Sequence, residues 1–488
     1  MTGRFIAILA IIAALLAGVV YWLGRPSSGG PELEDVLPFP PGEVTELTIR
    51  WSVDGAAAAR LGRAPDGTWV MRWRSGDSEG SWPVIGSRVS GAIGLLAKVR
   101  GSRSKFTETV GDPVWITVGT ASGSVDLSAS KRPFGGSGVV ARAGEDGASI
   151  VGEVDGQLVQ VFQRADVLAW RDHSLFPSDL SRSSRAWIDH GDGVTAIHRV
   201  GGRWGLLEPA PARADRTAVE GFFGSLKQLR ITRFQADQSG WTGVREEEFA
   251  RAIIVESDRS TPDAGPHGRW VIRQELRIGP FAGEHSLIAL ASVRMVRPAT
   301  RERGEVIEDL WGPTVVVVDK VTPEDILRRA GVFLSRVATS AVQADVRRIA
   351  IESPSGAEFS SKREIDRWLG PGGDPLGLVE QEAVRWVIEL LTERGATRSE
   401  FESGESAGLE RSRPRGSRGW RVRLLGAEGP PIDEVLVVDG EPGEAAGLGG
   451  GGGGGGGGLV IVSGPVVHHH DSEVRREWPL AMERLGFR

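Results

Sequence analysis

Apolar residues form one long run near the amino terminus. The run covers residues 5–23, about 19 residues without a charge, and a helix of that length spans roughly 30 Å, the thickness of the hydrocarbon core of a bilayer. Tyr21 and Trp22 stand at its far end, where aromatic rings favour the membrane interface. The pattern predicts a transmembrane anchor over residues 1–26, followed by a Pro- and Gly-rich linker over residues 27–42.

A cleaved signal peptide is the alternative interpretation of this run. Signal peptides have apolar cores of roughly 7 to 15 residues and a small-residue exit, whereas this run is longer and ends in Tyr-Trp-Leu-Gly-Arg. Arg4 precedes the run and Arg25 follows it, so the positive-inside rule gives a weak bias. We expect an uncleaved single-pass anchor in the inner membrane, with the amino terminus cytoplasmic and the remaining chain extracytoplasmic (periplasmic).

Three stripes of apolar residues at positions i, i+3, i+4 and i+7 predict amphipathic helices, each packed on another layer. The stripes are Val89, Ala92, Ile93 and Leu96, then Val219, Phe222, Phe223 and Leu226, then Val384, Val387, Ile388 and Leu391. Each stripe has a tryptophan and a proline upstream and a phenylalanine downstream. These flanking residues are Trp69, Pro83 and Phe106, then Trp204, Pro209 and Phe234, then Trp368, Pro375 and Phe401. The recurrence predicts three copies of one module.

Alternating or β-branched segments predict strands around each helix. The opening strands contain Leu47, Ile49 and Trp51, then Ala186 and Ile188, then Ile349 and Ile351; the closing strands contain Leu158, Val159 and Val161, then residues 315–318, then residues 435–437 and 460–462. We expect an α+β fold of three tandem repeats, each a mainly antiparallel β module with one packed helix. The repeats would cover residues 43–178, 179–340 and 341–488.

Composition narrows the classes of function. The chain has 488 residues, a net charge of -6 and no cysteine. Disulfides, thiolate metal sites and cysteine nucleophiles are therefore excluded. A nucleic-acid-binding protein usually shows a basic face, and no segment concentrates positive charge, so we expect no nucleic-acid partner.

One short stretch resembles the nucleophile elbow of serine hydrolases. Residues 404–408 match G-x-S-x-G with Ser406 as the nucleophile, and Asp439 and His468 follow in hydrolase order. An elbow needs a strand leading in and a helix leading out. Here the predicted helix leads in and a polar loop follows, so we interpret Ser406 as part of a loop in the third repeat.

We interpret the other polar clusters as structural features rather than as functional sites. His468, His469 and His470 are consecutive, and consecutive residues on a strand point to opposite faces, so we expect a surface cluster rather than a metal site. The poly-Gly loop at residues 447–458 lacks the Lys-Ser/Thr pair of a phosphate loop and is predicted to be a hairpin loop. Asp189 and His190 lack a partner nucleophile. We therefore predict no catalytic, cofactor-binding or metal-binding residues.

Residues 165–235 resemble a known family. WRDHSLFP is followed by GGRWGLLEP and then by ADRTAVEGFFGSLKQLRITRF, which is similar to the junction, strand and helix motifs of domain-of-unknown-function family 4340. The resemblance is weaker in the first and third repeats, and the poly-Gly loop departs from it. It implies a single-pass membrane protein with an extracytoplasmic β-rich region. Some relatives are auxiliary components of ABC-type transport systems, including gliding-associated ones.

Three functions remain open from the sequence. The first is a non-enzymatic membrane-anchored scaffold, an auxiliary subunit of an ABC-type transport or envelope complex. The second is an envelope enzyme or ligand-binding receptor, with the Ser406 hydrolase as its least supported form. The third is a glycan-binding protein, which predicts several tryptophans exposed on one face.

Overall fold

The computed structural model describes residues 33–52, 57–64, 67–75, 78–104, 112–132, 136–143, 148–234, 248–259, 270–281, 286–297, 304–401, 419–428, 430–439 and 458–487. These residues form two compact units, of which the first ends at Asp172 and the second begins at His173. The first unit contains one antiparallel sheet and the second contains two. We call each sheet with its helices a module.

The predicted membrane anchor lies outside the described residues. Within the described ranges, no helix has both the length and the apolar character needed to cross a membrane.

Module 1 is a sheet of ten strands. They are β1 (Glu34–Asp35), β2 (Val44–Arg50), β3 (Ala57–Arg63), β4 (Trp69–Ser75), β5 (Ser78–Pro83), β6 (Arg100–Ser104), β7 (Val114–Thr120), β8 (Gly123–Lys131), β9 (Ser137–Ala143) and β10 (Ser149–Asp155). Helix α1 (Gly86–Leu96) connects β5 to β6, and helices α2 (Gly156–Val161) and α3 (Arg164–Leu168) follow β10. The strand order is β1-β6-β10-β9-β8-β7-β2-β3-β4-β5.

Module 2 is a sheet of nine strands. They are β11 (Ser183–Asp189), β12 (Val194–Val200), β13 (Arg203–Glu208), β14 (Ala212–Arg213), β15 (Ile231–Phe234), β16 (Arg251–Arg259), β17 (Trp270–Phe281), β18 (Ser286–Arg297) and β19 (Val306–Asp319). Helix α4 (Arg216–Gln228) connects β14 to β15, and α5 (Pro323–Ile326) follows β19. The order is β14-β13-β12-β11-β16-β17-β18-β19-β15.

Module 3 is a sheet of eight strands. They are β20 (Arg348–Glu352), β21 (Glu358–Glu364), β22 (Arg367–Leu369), β23 (Arg398–Phe401), β24 (Trp420–Leu425), β25 (Pro431–Asp439), β26 (Leu459–Ser463) and β27 (Val466–His469). Helix α6 (Leu378–Thr392) connects β22 to β23, and α7 (Ser472–Arg484) follows β27. The order is β22-β21-β20-β24-β25-β26-β27-β23.

The three sheets share one topology, and the fold is β-rich with three antiparallel sheets, as predicted for an α+β chain. In each module the opening strand lies inside the sheet, between the strand that follows it and the second strand after the connecting helix. The first strand after that helix pairs with the last strand of the module, far from the strand that precedes the helix. The helix therefore crosses one face of the sheet, where its apolar stripe is buried.

The three predicted helix stripes are confirmed. Every residue of the stripes on α1, α4 and α6 is buried. The predicted opening strands also bury the expected residues, since Ile49, Ile188 and Ile351 are each at most 1% exposed. Burial of one such side chain contributes roughly 1.5–3 kcal/mol, so the connecting helix carries a large share of each core.

The flanking tryptophans take the same position in every module. Trp69, Trp204 and Trp368 are buried, and each lies in the third strand when the opening strand of its module is counted as the first. The carbonyl of each accepts a hydrogen bond from the backbone of the segment that leads into the helix; the donors are Val84, Ala214 and Leu376, at 2.9, 3.1 and 2.9 Å. The indole thus packs in the core while its carbonyl fixes the approach to the helix.

An arginine stands opposite each of these tryptophans on the neighbouring strand. The register pairs are Arg63 with Trp69, Arg199 with Trp204 and Arg363 with Trp368. The guanidinium lies 5.3 Å from the indole centroid in module 1 and 5.7 Å in module 2, which is within the range of a cation–π contact. This recurring arginine–tryptophan pair belongs to the set of packing contacts that the three modules share.

Two sequence predictions about elements are wrong. The predicted strand at Leu158 to Val161 is helix α2, because Asp155 caps that helix by accepting a hydrogen bond from the Gln157 amide. The prediction of one helix in each module is also wrong, since α2 and α3 follow the last strand of module 1, α5 follows that of module 2 and α7 follows that of module 3. In module 3 the second helix, α7, packs against the core. Asp471 caps it, and its buried face includes Val474 and Trp478.

Candidate functional site

The proposed hydrolase residues do not form a described site. Ser406 lies outside the described residues. The segment before it is strand β23, which ends at Phe401, so the expectation that a helix leads into the motif is wrong. Asp439 ends β25 and pairs with Leu459 of β26. The hydroxyl that His468 contacts belongs to Ser399, on the adjacent strand.

The strands on either side of the poly-Gly loop are confirmed. Strand β25 pairs with β26 from Leu436 with Val462 to Asp439 with Leu459, so the intervening segment connects a hairpin. Residues 440–457 lie outside the described ranges. Gly458 is described, and a Cβ there would stand 2.1 Å from the carbonyl oxygen of His470. Only glycine fits so close to the histidine strand.

The three histidines lie at the end of β27, and two of them are buried. His468 and His470 are 3% and 4% exposed, whereas His469, on the opposite face, is half-buried. The predicted surface cluster is therefore wrong for His468 and His470. Strand β27 lies between β23 and β26, so the alternation of the strand directs one face of the histidine run into the core.

Each histidine has a different polar environment. His468 Nδ1 lies 2.8 Å from Ser399 Oγ, and His469 Nε2 lies 3.0 Å from Glu400 Oε1. His470 Nε2 is buried and has no hydrogen-bond partner among the described residues. Burial, together with the neighbouring histidines, lowers the pKa of His468 to about 4. Burial also lowers the pKa of His470 to about 4, with Asp471 opposing the shift.

The Ser399–His468 pair is a structural hydrogen bond. A general base works best with a pKa near the operating pH and with a carboxylate that orients it. The lowered pKa makes His468 a weak base, and within the described part of the chain its side chain hydrogen-bonds to a serine and not to a carboxylate. Across the described ranges, no group of three or more histidine, cysteine, aspartate or glutamate side chains is arranged to hold a metal ion.

The Asp189–His190 pair closes a hairpin turn. Asp189 accepts a hydrogen bond from the Gly191 amide at 2.8 Å, and His190 Nε2 lies 3.0 Å from Thr195 Oγ1. Burial, with Arg329 nearby, lowers the pKa of His190. The contacts of both residues stabilise the turn between β11 and β12.

A polar cluster that sequence patterns did not predict lies between modules 2 and 3. It is built on Thr339 and Ser340, in the segment that connects the two modules and is called the linker below. Arg213 donates a hydrogen bond to the carbonyl of Thr339, and Arg203 donates one to the carbonyl of Ser340 at 2.8 Å. Asp433 of β25 accepts hydrogen bonds from the Ser340 amide at 2.8 Å and from its hydroxyl at 3.2 Å. Both modules therefore hold the same two linker residues.

Asp433 is a carboxylate in an unfavourable environment. Burial raises its pKa, while the hydrogen bonds from Ser340 and the charge of Arg213 oppose the shift. No sequence pattern indicates this cluster, because its members lie far apart in the chain and none belongs to a motif.

Together these features define a β-rich α+β protein of three antiparallel sheets with buried polar pairs. No family model, curated protein or solved structure matches the chain.

Proposed function

We propose that this protein is a non-enzymatic scaffold, anchored in the inner membrane by residues 5–23 and extending outside the cytoplasm. The anchor rests on the length and apolar character of that run. The orientation rests on Arg4 before it and on the positive-inside rule. Its partners would be proteins of a membrane complex.

The observation that carries the proposal is the burial of the repeated residues. The recurring tryptophans and all three helix stripes are core residues of their modules. What the chain repeats is therefore a packing framework. A framework used three times supports a role in holding or spacing partners, with specificity supplied by the outward faces and loops.

The resemblance to family 4340 supports a narrower form of the proposal. Some members of that family are auxiliary components of ABC-type transport systems. An auxiliary subunit of such a complex, or of another envelope complex, fits an anchored chain of three modules.

The tryptophans favour the scaffold over the glycan-binding alternative. Within the described ranges, every tryptophan side chain is buried or half-buried. A glycan-binding face needs aromatic rings open to solvent.

Replacement of the anchor tests the proposed location. The full chain should fractionate with membranes and become protease-sensitive in spheroplasts. A variant with residues 1–26 replaced by a cleavable signal peptide should be soluble in the periplasm. A full chain that is soluble, or is protected in spheroplasts, would contradict the proposed topology.

Purification tests the proposed role. A tagged full chain, crosslinked in cells of its source, should carry permease and ATPase subunits in fixed stoichiometry, and the anchor-replaced variant should lose them. Isolation of a free chain that turns over a small substrate would instead favour the enzyme alternative.

A further inference from the structure

The face of module 2 that points away from α4 carries an array of ion pairs. On β17, Gln274, Leu276 and Ile278 are buried, so the intervening positions point to the opposite face. Those positions are Arg273, Glu275 and Arg277, and their register partners on β18 are Arg294, Ser292 and Leu290.

Two arginines approach one glutamate in this array. Arg277 Nε donates to Glu275 Oε1 at 2.7 Å, and Arg294 Nη1 donates to Glu275 Oε2 at 3.4 Å. Arg294 Nε also donates to Asp309 at 2.9 Å. The Glu275 side chain is 13% exposed, whereas those of Arg277 and Arg294 are 38% and 31% exposed. The carboxylate of Glu275 is therefore largely buried, whereas the guanidinium groups of Arg277 and Arg294 reach the surface.

A small pocket of about 70 Å³ opens between these groups. It is lined by Glu275, Arg277, Leu290, Ser292, Arg294 and Pro313. Ser292 is 8% exposed, and its side chain is part of this lining. The lining presents two guanidinium groups and one carboxylate, and the exposed Asp309 pairs with Arg294 beside it.

The lining suits one oxyanion rather than a large ligand. A water molecule needs roughly 10–15 Å³ of such space, so this pocket holds a group of a few heavy atoms. Guanidinium groups bind oxyanions through charge-assisted hydrogen bonds, and the Ser292 hydroxyl supplies a neutral donor. Leu290 and Pro313 add an apolar wall that suits a carbon chain attached to the anion.

We propose that this pocket binds an aliphatic carboxylate, such as an acidic side chain or chain terminus presented by a partner. Arg294 and Arg277 supply the charge, Ser292 donates a hydrogen bond, and Glu275 holds the arginines while competing with the ligand. The assignment does not depend on the proposed membrane location, since it rests on the module 2 sheet.

Titration of the full chain with propionate, followed by saturation-transfer NMR, tests the assignment. Propionate should bind with a dissociation constant in the millimolar range, because a single small group supplies little binding energy. S292A and R294Q should each weaken it roughly tenfold. E275Q should strengthen it several-fold, because the competing negative charge is lost. A folding defect cannot produce changes of opposite sign in neighbouring variants.

The matched control is R421Q in module 3. Arg421 also pairs with two glutamates, Glu352 at 3.3 Å and Glu434 at 3.4 Å, but lies outside the pocket. R421Q should leave propionate affinity unchanged. Tighter binding of inorganic phosphate than of propionate would overturn the carboxylate assignment. Absence of propionate binding, or equal loss in R421Q and R294Q, would overturn the site itself.

Discussion

At the scale of single residues, the main feature is a pair of neutral histidines inside module 3. His468 has a hydrogen-bonding partner in Ser399, whereas the Nε2 atom of His470 has none among the described residues. Both would carry a charge at low pH in an unfolded chain, where the pKa of histidine is near 6.5. The folded module excludes that charge, so protonation and folding oppose each other.

The sign of the pH effect follows from the lowered pKa values. Between pH 6.5 and about 4 the unfolded chain binds protons that the folded chain does not. The stabilisation is therefore complete above pH 6.5 and is lost as the pH falls toward 4, by up to roughly 3 kcal/mol for each histidine.

His470→Leu should reduce this acid sensitivity. Its stability at pH 7 should be no lower than that of the wild type, because an unpartnered buried polar group is replaced by an apolar one of similar size. Urea-unfolding midpoints measured from pH 7 to pH 4 check this. The control is His469→Gln, which changes the half-buried neighbour. An unchanged pH slope in His470→Leu would show that His470 is not a source of the sensitivity.

At the scale of elements, the connecting helix is the common unit of stability. Leu96, Leu226 and Leu391 occupy the last position of their stripes, and each is fully buried. Their equivalence in the shared topology means that one substitution can be compared at three sites.

Leu→Ala at each of these positions should destabilise its module by about 2–5 kcal/mol, because each leaves a cavity that the sheet cannot fill. Hydrogen-exchange protection should fall in the strands of the affected module. Gln228→Ala, an exposed change on α4, is the control and should stay within about 0.5 kcal/mol. Loss of protection in the strands of all three modules from one substitution would contradict separate cores for the two compact units.

The elements that the sequence predicted well are those in which the spacing of the apolar residues matches the face that the element buries. The stripe from Val219 to Leu226 has the helical repeat on one buried face, so it was found. Helix α7 was missed because Pro479 lies inside it, although its buried positions Val474, Trp478, Ala481 and Met482 keep the helical spacing. At the histidines, alternation predicted correctly that neighbouring residues point to opposite faces. It did not predict that β23 pairs with β27 and makes β27 an interior strand of the sheet.

At the scale of the whole molecule, the linker between modules 2 and 3 is held from both sides. Arg203 and Arg213 bind its carbonyls from module 2, and Asp433 binds Ser340 from module 3. Thr339 also donates from its amide and its hydroxyl to the carbonyl of Leu391, at the end of α6. Movement of one module relative to the other would break hydrogen bonds at two adjacent residues.

Modules 2 and 3 should therefore unfold together, and Arg213→Gln should uncouple them. The substitution removes the donor to Thr339 and the positive charge beside Asp433, so the linker loses its side-chain contact with β14. In differential scanning calorimetry of the full chain, the shared transition should separate into two, because the coupling between the modules has been weakened. Arg216→Gln is the matched control, since Arg216 pairs with the exposed Glu220 on the same helix and not with the linker. Two separate transitions already present in the wild type would mean that these hydrogen bonds do not couple the modules. A single transition in Arg213→Gln would contradict the role of Arg213 and would assign the coupling to Arg203 and Asp433.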